Sequence, residues 1–282
     1  MAFSYSITLS SFLRLKEDVD ETLSNLSQIG FQNLEMFGEP DEVNKKFYKD
    51  IFSTFNFRII GLTGMWGKSS TNGWKRRLLS NDQSMVKYTR DYVLKCIDLC
   101  RYLGGTQINI CLLSDPINYL DVTHSNVAKD EKTRLLYNSI PILNELSSIA
   151  KDNDVQLVLE PLNRYSTPYC CNYDDTLILL KNCPHLKLML DTFHMNIEED
   201  SFRKTILRAN NDVGQRLVHM HFADNNRKMP GQGHIDFKSI VQSLKEISYL
   251  GYISFEPTIS DSDYQTHIKS GLEFIKNLET FN

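Results

Sequence analysis

What most constrains this chain is a rhythm. Eight short runs of apolar and β-branched residues recur along it, each followed by a longer stretch with helical spacing. The runs cover 5–10, 33–38, 58–64, 107–113, 155–161, 186–192, 217–224 and 252–257. Helical periodicity occupies 16–29, 41–55, 83–103, 130–152, 173–182, 199–210, 236–248 and 264–279, with Val93, Ile97, Cys100 and Leu103 forming one apolar stripe and Ile240, Leu244 and Ile247 another. Strands apolar on both faces belong to a parallel sheet covered by helices, and eight βα units are the number that closes into a barrel. The expected fold is therefore α/β, a single (β/α)8 TIM barrel with residues 1–282 as one domain. A doubly wound sheet is disfavoured because no GxGxxG opens a helix after the first strand.

Four of these runs end in groups that a buried strand ordinarily avoids, since an ionised oxygen without a partner is costly there. VQLVLEP ends at Glu160, LMLD at Asp191 with His194 three residues on, LVHMHFAD carries His219 and His221, and YISFEP ends at Glu256. In a closed barrel, the C-terminal ends of strands five to eight surround one mouth, the face on which such barrels build their sites. Converging carboxylates raise one another's pKa unless a cation neutralises them. Three oxygen ligands and one imidazole suit a hard to borderline dication better than a structural thiolate site does. His219 shares a strand face with His221 and is expected one layer lower, as a hydrogen-bonding partner. Glu35, at the end of strand two, is expected at the surface or as a supporting acid.

The rest of the composition narrows the partners. With 31 basic and 35 acidic residues the formal net charge is −4, which gives no electrostatic reason to expect nucleic acid or an anionic membrane. No uncharged apolar run of about 18 residues and no basic-then-apolar leader is present, so the cytoplasm is the expected compartment. Six cysteines occur without a CxxC pair and are expected to be reduced, with Cys96 and Cys100 serving as packing residues of a helix.

EPLNR around Glu160, DTFHMNIEE from Asp191, HMHFADNNR around His221 followed by PGQG, and SFEP around Glu256 together resemble the xylose-isomerase-like sugar isomerases and epimerases. Within them they are most similar to the ketohexose 3-epimerases of the D-tagatose and D-psicose type. The resemblance implies that Glu160, Asp191, His221 and Glu256 hold one divalent metal ion, manganese foremost with cobalt, magnesium or zinc as alternatives. It also implies that His194 and Arg227 bind substrate oxygens and that the working form is a homodimer. The implied chemistry is an isomerase's, acting on a keto-sugar or polyol: a proton is taken from the carbon beside a ketone to leave an enediolate, with Glu160 and Glu256 as the two acid/base groups.

One position departs from the family. Ser166 stands where these epimerases carry a second glutamate, and a hydroxyl carries no charge at neutral pH, so the grip on substrate differs there. Trp66, Met65, Leu112, Leu113 and Tyr165 are candidates to pack the far end of the sugar. The PGQG turn at 230–233 has two readings, backbone amides offered to a phosphate or a simple chain reversal. An inosose-type dehydratase on the same barrel is the nearest competing activity. A remoter one is a DNA repair nuclease of the endonuclease IV type, but that site needs extra histidines from early strands and the first 120 residues contain none.

Overall fold

Parallel strands pair in chain order, and the eighth closes on the first. The computed structural model describes residues 2–15, 17–65, 73–115, 129–260 and 263–280. The strands are β1 (Ser4–Thr8), β2 (Asn33–Phe37), β3 (Arg58–Thr63), β4 (Gln107–Ile110), β5 (Gln156–Leu159), β6 (Lys187–Asp191), β7 (Leu217–Phe222) and β8 (Tyr252–Phe255). Around them lie α1 (Val19–Ile29), α2 (Lys45–Thr54), α3 (Gln83–Leu103), α4 (Lys129–Asp152), α5 (Tyr173–Asn182), α6 (Thr192–Glu198), α7 (Phe202–Val213), α8 (Phe237–Glu246) and α9 (Tyr264–Thr280). Among the described residues, no helix is long and apolar enough to cross a membrane.

The expected apolar stripes are the faces that pack on the barrel. Val93, Ile97, Cys100 and Leu103 of α3 are buried, as are Ile240 and Leu244 of α8, with Ile247 at the edge of the same core. All six cysteines are buried free thiols, and burial pushes those of Cys96 and Cys100 up to about 12, as suits packing residues.

β1, β4, β5, β7 and β8 stop two or three residues short of their expected C-terminal limits, and β2, β3 and β6 stop one short. At β5 and β8 the acid is followed by Pro161 or Pro257, which has no N–H to continue the ladder. A last backbone bond runs from Glu160 N to Ile110 O and from Glu256 N to Phe222 O, so each glutamate is fixed just beyond its strand. β6 ends at Asp191, one residue early, because the Asp191 carboxylate accepts the Phe193 amide at 2.7 Å and starts α6 as its N-cap. The helix expected over 199–210 is α7, shifted to Phe202–Val213 and capped by Ser201, which accepts the Lys204 amide; α6, which ends before Glu199, is an additional helix outside those expected.

Side chains of distant strands meet inside the barrel. Thr8 and Thr63 hydroxyls lie 2.8 Å apart, and Glu35 of β2 reaches His219 and His221 of β7. This polar interior leads from the barrel's middle to its C-terminal mouth.

Candidate metal centre and substrate cleft

Adjacent strands deliver the four candidate ligands to one height. Asp191 and His221 are register partners across β6 and β7, and His221 faces Ser254, two residues before Glu256, across β7 and β8. One donor atom from each of Glu160, Asp191, His221 and Glu256 lies within 4.8 Å of all the others. All four are nearly inaccessible to water, with the Glu256 side chain the most open at 16 %.

Their charges are not equivalent, and here the sequence expectation of a uniform rise is corrected. Glu160 is pushed up to about 8, first by burial and then by the neighbouring Glu256 and Asp191 carboxylates. Burial pushes Glu256 the same way, but the Arg227 guanidinium and the His221 ring outweigh it and hold this carboxyl well below the usual range. Burial likewise opposes protonation of His221, yet the flanking Glu256 and Glu35 carboxylates hold its pKa well above the ordinary value. Arg227 donates to Asp191 Oδ2 at 2.6 Å and to Glu256 Oε2, while its guanidinium carbon lies 4.8 Å from the centre of the Phe193 ring. The cluster thus gathers carboxylates whose charge is offset by the Arg227 guanidinium and by a raised affinity for protons at Glu160 and His221.

That gathering tests whether the donor set fits a metal ion. Three carboxylates and an imidazole at this separation match the preferences of an oxygen-rich dication site, and a cation replacing the proton on Glu160 and the proton on His221 relieves the crowding. The residues fit. His221 presents Nδ1 to Glu256 at 2.9 Å and Nε2 to Glu35 at 2.9 Å, so the far nitrogen is anchored by a carboxylate, the arrangement that orients metal-binding histidines. Glu35 is wholly buried, not at the surface, because the barrel interior places it between His219 and His221; both rings hold its carboxyl well below the ordinary value against the pull of burial. His219 lies 3.2 Å from Glu35 and stays a layer below the mouth, as expected.

The remaining site candidates are placed in different surroundings. His194, on the first turn of α6, is buried; its Nε2 lies 3.8 Å from Glu160 and 3.9 Å from Asp191, and burial lowers its pKa. Ser166 is exposed, and its hydroxyl and amide turn back to Asn163 Oδ1. Tyr165 is 70 % exposed, Leu112 and Met65 are buried in the core and Leu113 packs against it, while Trp66 lies outside the described residues.

Sequence reasoning missed three supporting residues. Asn109 donates to Glu160 Oε2 at 3.2 Å while its own Oδ1 accepts the Gly64 amide. Asn163 contacts His194 Nδ1 at 2.7 Å. Asp224 organises the loop after β7: its carboxylate accepts the amides of Asn225, Gly231, Gly233 and Ile235 at 2.9–3.1 Å. Three of the amides in and beside PGQG are therefore engaged by a carboxylate, which favours the chain-reversal reading over a phosphate cradle. A Cβ on Gly233 would lie 2.3 Å from Asp224 Oδ1 and 2.1 Å from Asn225 Oδ1, so only glycine allows this approach. An asparagine on a strand, like Asn109, or in a βα loop, like Asn163, gives no pattern that reveals such roles, although EPLNR contains one of them.

Known proteins resemble this chain in sequence and in fold. The chain is 27% identical over 247 residues to the L-ribulose 3-epimerase of a Methylomonas species, covering 86% of this chain and 79% of that one. It is 36% identical over 142 residues to the D-psicose 3-epimerase of Enterocloster bolteae, covering 50% of this chain and 44% of that protein. The crystal structure of D-psicose 3-epimerase with D-tagatose from Clostridium cellulolyticum superposes with a TM-score of 0.79 at 22% identity, covering 98% and 99% of the two chains, a likeness of fold. The model of the family described as xylose isomerase-like TIM barrel matches residues 23–278, and this chain belongs to that family.

Proposed function

We propose that this enzyme of the carbohydrate-isomerase kind is a metal-dependent ketose epimerase that inverts the carbon next to a ketone, with C3 of a ketohexose as the favoured position. The reading is supported by relatives named as ketose 3-epimerases. The observation that carries it is that Glu160 and Glu256 stand in one four-group cluster yet on strands three apart. Holding a sugar does not call for two carboxylates so placed; removing a proton from one face and returning one to the other does.

In this reading Glu160, Asp191, His221 and Glu256 hold one dication, with manganese favoured. When bound, it supplies Lewis acidity that makes the hydrogen on the carbon beside the ketone more acidic and stabilises the negative charge left by its removal. One glutamate takes that proton, the bonding pair passes into the enediolate, and the other glutamate delivers a proton to the opposite face. Their order follows the configuration of the substrate. Arg227 and His194 grip the sugar oxygens, Arg227 as a permanent cation held between Asp191 and Glu256, and His194 through the nitrogen that faces the cluster. Burial of the cluster keeps water from quenching the intermediate.

The test is turnover of ketohexoses and ketopentoses with Mn²⁺ in deuterated water. The expected result is an epimeric ketose carrying deuterium at C3. Formation of an enol or diketone in place of the epimer would shift the reading to a dehydratase, and turnover without deuterium would exclude proton abstraction.

A further inference from the structure

The loop after β5 and the helix after β6 are fastened at two neighbouring points. Arg164 clamps Glu198, its amide and Nε both donating to Oε1, at 2.6 and 2.9 Å, and its Nη2 donating to Oε2 at 3.0 Å. The residue before it, Asn163, is 3 % exposed and lies against the ring of His194 at 2.7 Å. Glu198 ends the same helix that carries His194, so the clamp sets the distance at which Asn163 and His194 meet.

An asparagine beside a histidine is ordinarily ambiguous, because the amide can be turned end for end and the imidazole proton can sit on either nitrogen. Here the backbone removes the ambiguity. Asn163 Oδ1 accepts the Tyr165 amide at 3.0 Å and the Ser166 amide at 3.2 Å, with the Ser166 hydroxyl at 3.5 Å. Turning the side chain over would point an NH₂ group at two N–H donors, so Oδ1 must face the loop and Nδ2 must face His194. An NH₂ group only donates, which leaves His194 Nδ1 as the acceptor and puts the proton of the neutral ring on Nε2.

We propose that Asn163 is a positioning residue that locks His194 in its Nε2–H tautomer, so that the ring offers a neutral hydrogen-bond donor, not a base, to a substrate oxygen in the cleft. His194 Nε2 is the atom that faces Glu160 at 3.8 Å and Asp191 at 3.9 Å, room for a substrate oxygen beside both. A neutral donor stabilises charge developing on that oxygen without adding a cation next to the bound dication, and it cannot compete with Glu160 and Glu256 for the carbon-bound proton. Ser166 belongs to the same device, since its amide and hydroxyl help hold Asn163 Oδ1 in place. The assignment of a substrate contact rests on the epimerase reading, whereas the tautomer does not.

The experiment is long-range proton–nitrogen NMR on the full-length, magnesium-loaded enzyme with ¹⁵N-labelled histidine. The His194 signals are identified among the seven histidines by their loss in His194→Gln. The expected spectrum shows Nδ1 unprotonated and Nε2 protonated. In Asn163→Asp the carboxylate still accepts the Tyr165 and Ser166 amides, so the thermal midpoint is held, but it draws a proton onto Nδ1. The neutral Nε2–H ring is then lost and kcat/KM for the ketose falls by about 10- to 100-fold, the usual penalty for removing the partner of a site residue, with KM carrying most of the change. A wild-type ring protonated on Nδ1 refutes the proposal whatever the variant does, and so does an unchanged kcat/KM in a variant whose tautomer has moved. The expected tautomer in an enzyme that turns over no ketose supports the hydrogen-bond assignment and sinks the epimerase reading instead.

Discussion

The two halves of the barrel mouth are built alike and charged differently. Strands β5 to β8 end in Glu160, Asp191, His221 and Glu256, four groups that converge within 4.8 Å. Strands β1, β3 and β4 bring Thr8, Thr63 and Asn109 to the same interior, neutral groups that hydrogen-bond to one another, to backbone or to Glu160. Among the described residues, the buried acids of the first half are Glu39 and Glu35, and both are already partnered: Glu39 is paired to the buried Arg76 at 2.5 Å and Glu35 lies between two histidines. The difference separates chemistry from support. The second half concentrates carboxylates that Arg227 bridges, and the first half supplies hydrogen bonds to Glu160 and His221.

Substitutions on opposite sides of the mouth sharpen that division. The largest effect belongs to Glu256→Gln, which keeps shape but removes a proton-transfer group. Ketose turnover should fall by about 10³-fold or more, and full retention in a steady-state assay contradicts the two-glutamate scheme. Next comes the first half's own ion pair. Glu39→Gln removes the carboxylate paired with the buried Arg76, and denaturant melts should show a loss of about 3 kcal/mol, with Mn²⁺ affinity little changed because the pair lies outside the four-group cluster. A change in affinity as large as the change in stability would blur the comparison.

Between the halves stands Glu35. Glu35→Gln should weaken Mn²⁺ binding by calorimetry about 10- to 100-fold through loss of the anchor on His221 Nε2, while the fold is kept. Unaltered affinity would reduce Glu35 to a packing residue. The pH dependence has a definite sign. Because the Glu160 carboxyl is pushed up to about 8, binding a cation below that pH expels a proton. Mn²⁺ affinity should therefore weaken as pH falls, by about tenfold per unit for each proton released; affinity flat between pH 6 and 8 would mean that Glu160 is not a ligand. The smallest effect is expected far from the mouth, where Lys87→Ala breaks an exposed pair with Asp91 on α3 and should shift stability by less than about 0.5 kcal/mol.

The barrel and the convergence of the four groups were legible because both are written in local patterns: apolar runs of strand length that end in an acid or carry a histidine. What was hidden depends on contacts between residues far apart in sequence. Glu35 reads as a surface or a supporting acid, and only closure of the barrel decides for support by bringing it to His221, 186 residues away. Asp191 also does two things at once, capping α6 while facing the cluster, so the pattern that marks it as a site residue conceals where the strand ends. Glu256 reads as one of three equivalent carboxylates, and the Arg227 guanidinium donating to it sets it apart from Glu160. Asn109 and Asn163 had no local signature, since what an amide supports is decided by the group it meets in space.

The central claim is that a single dication is held by side chains from the second half of the barrel alone. Anomalous diffraction at the manganese edge, from crystals grown with Mn²⁺, tests it most directly. The account predicts one strong peak bounded by the carboxylates of Glu160, Asp191 and Glu256 and the ring of His221, with Arg227 swung off at least one of its two acids. A peak elsewhere, or none with Arg227 still bridging Asp191 and Glu256, contradicts it.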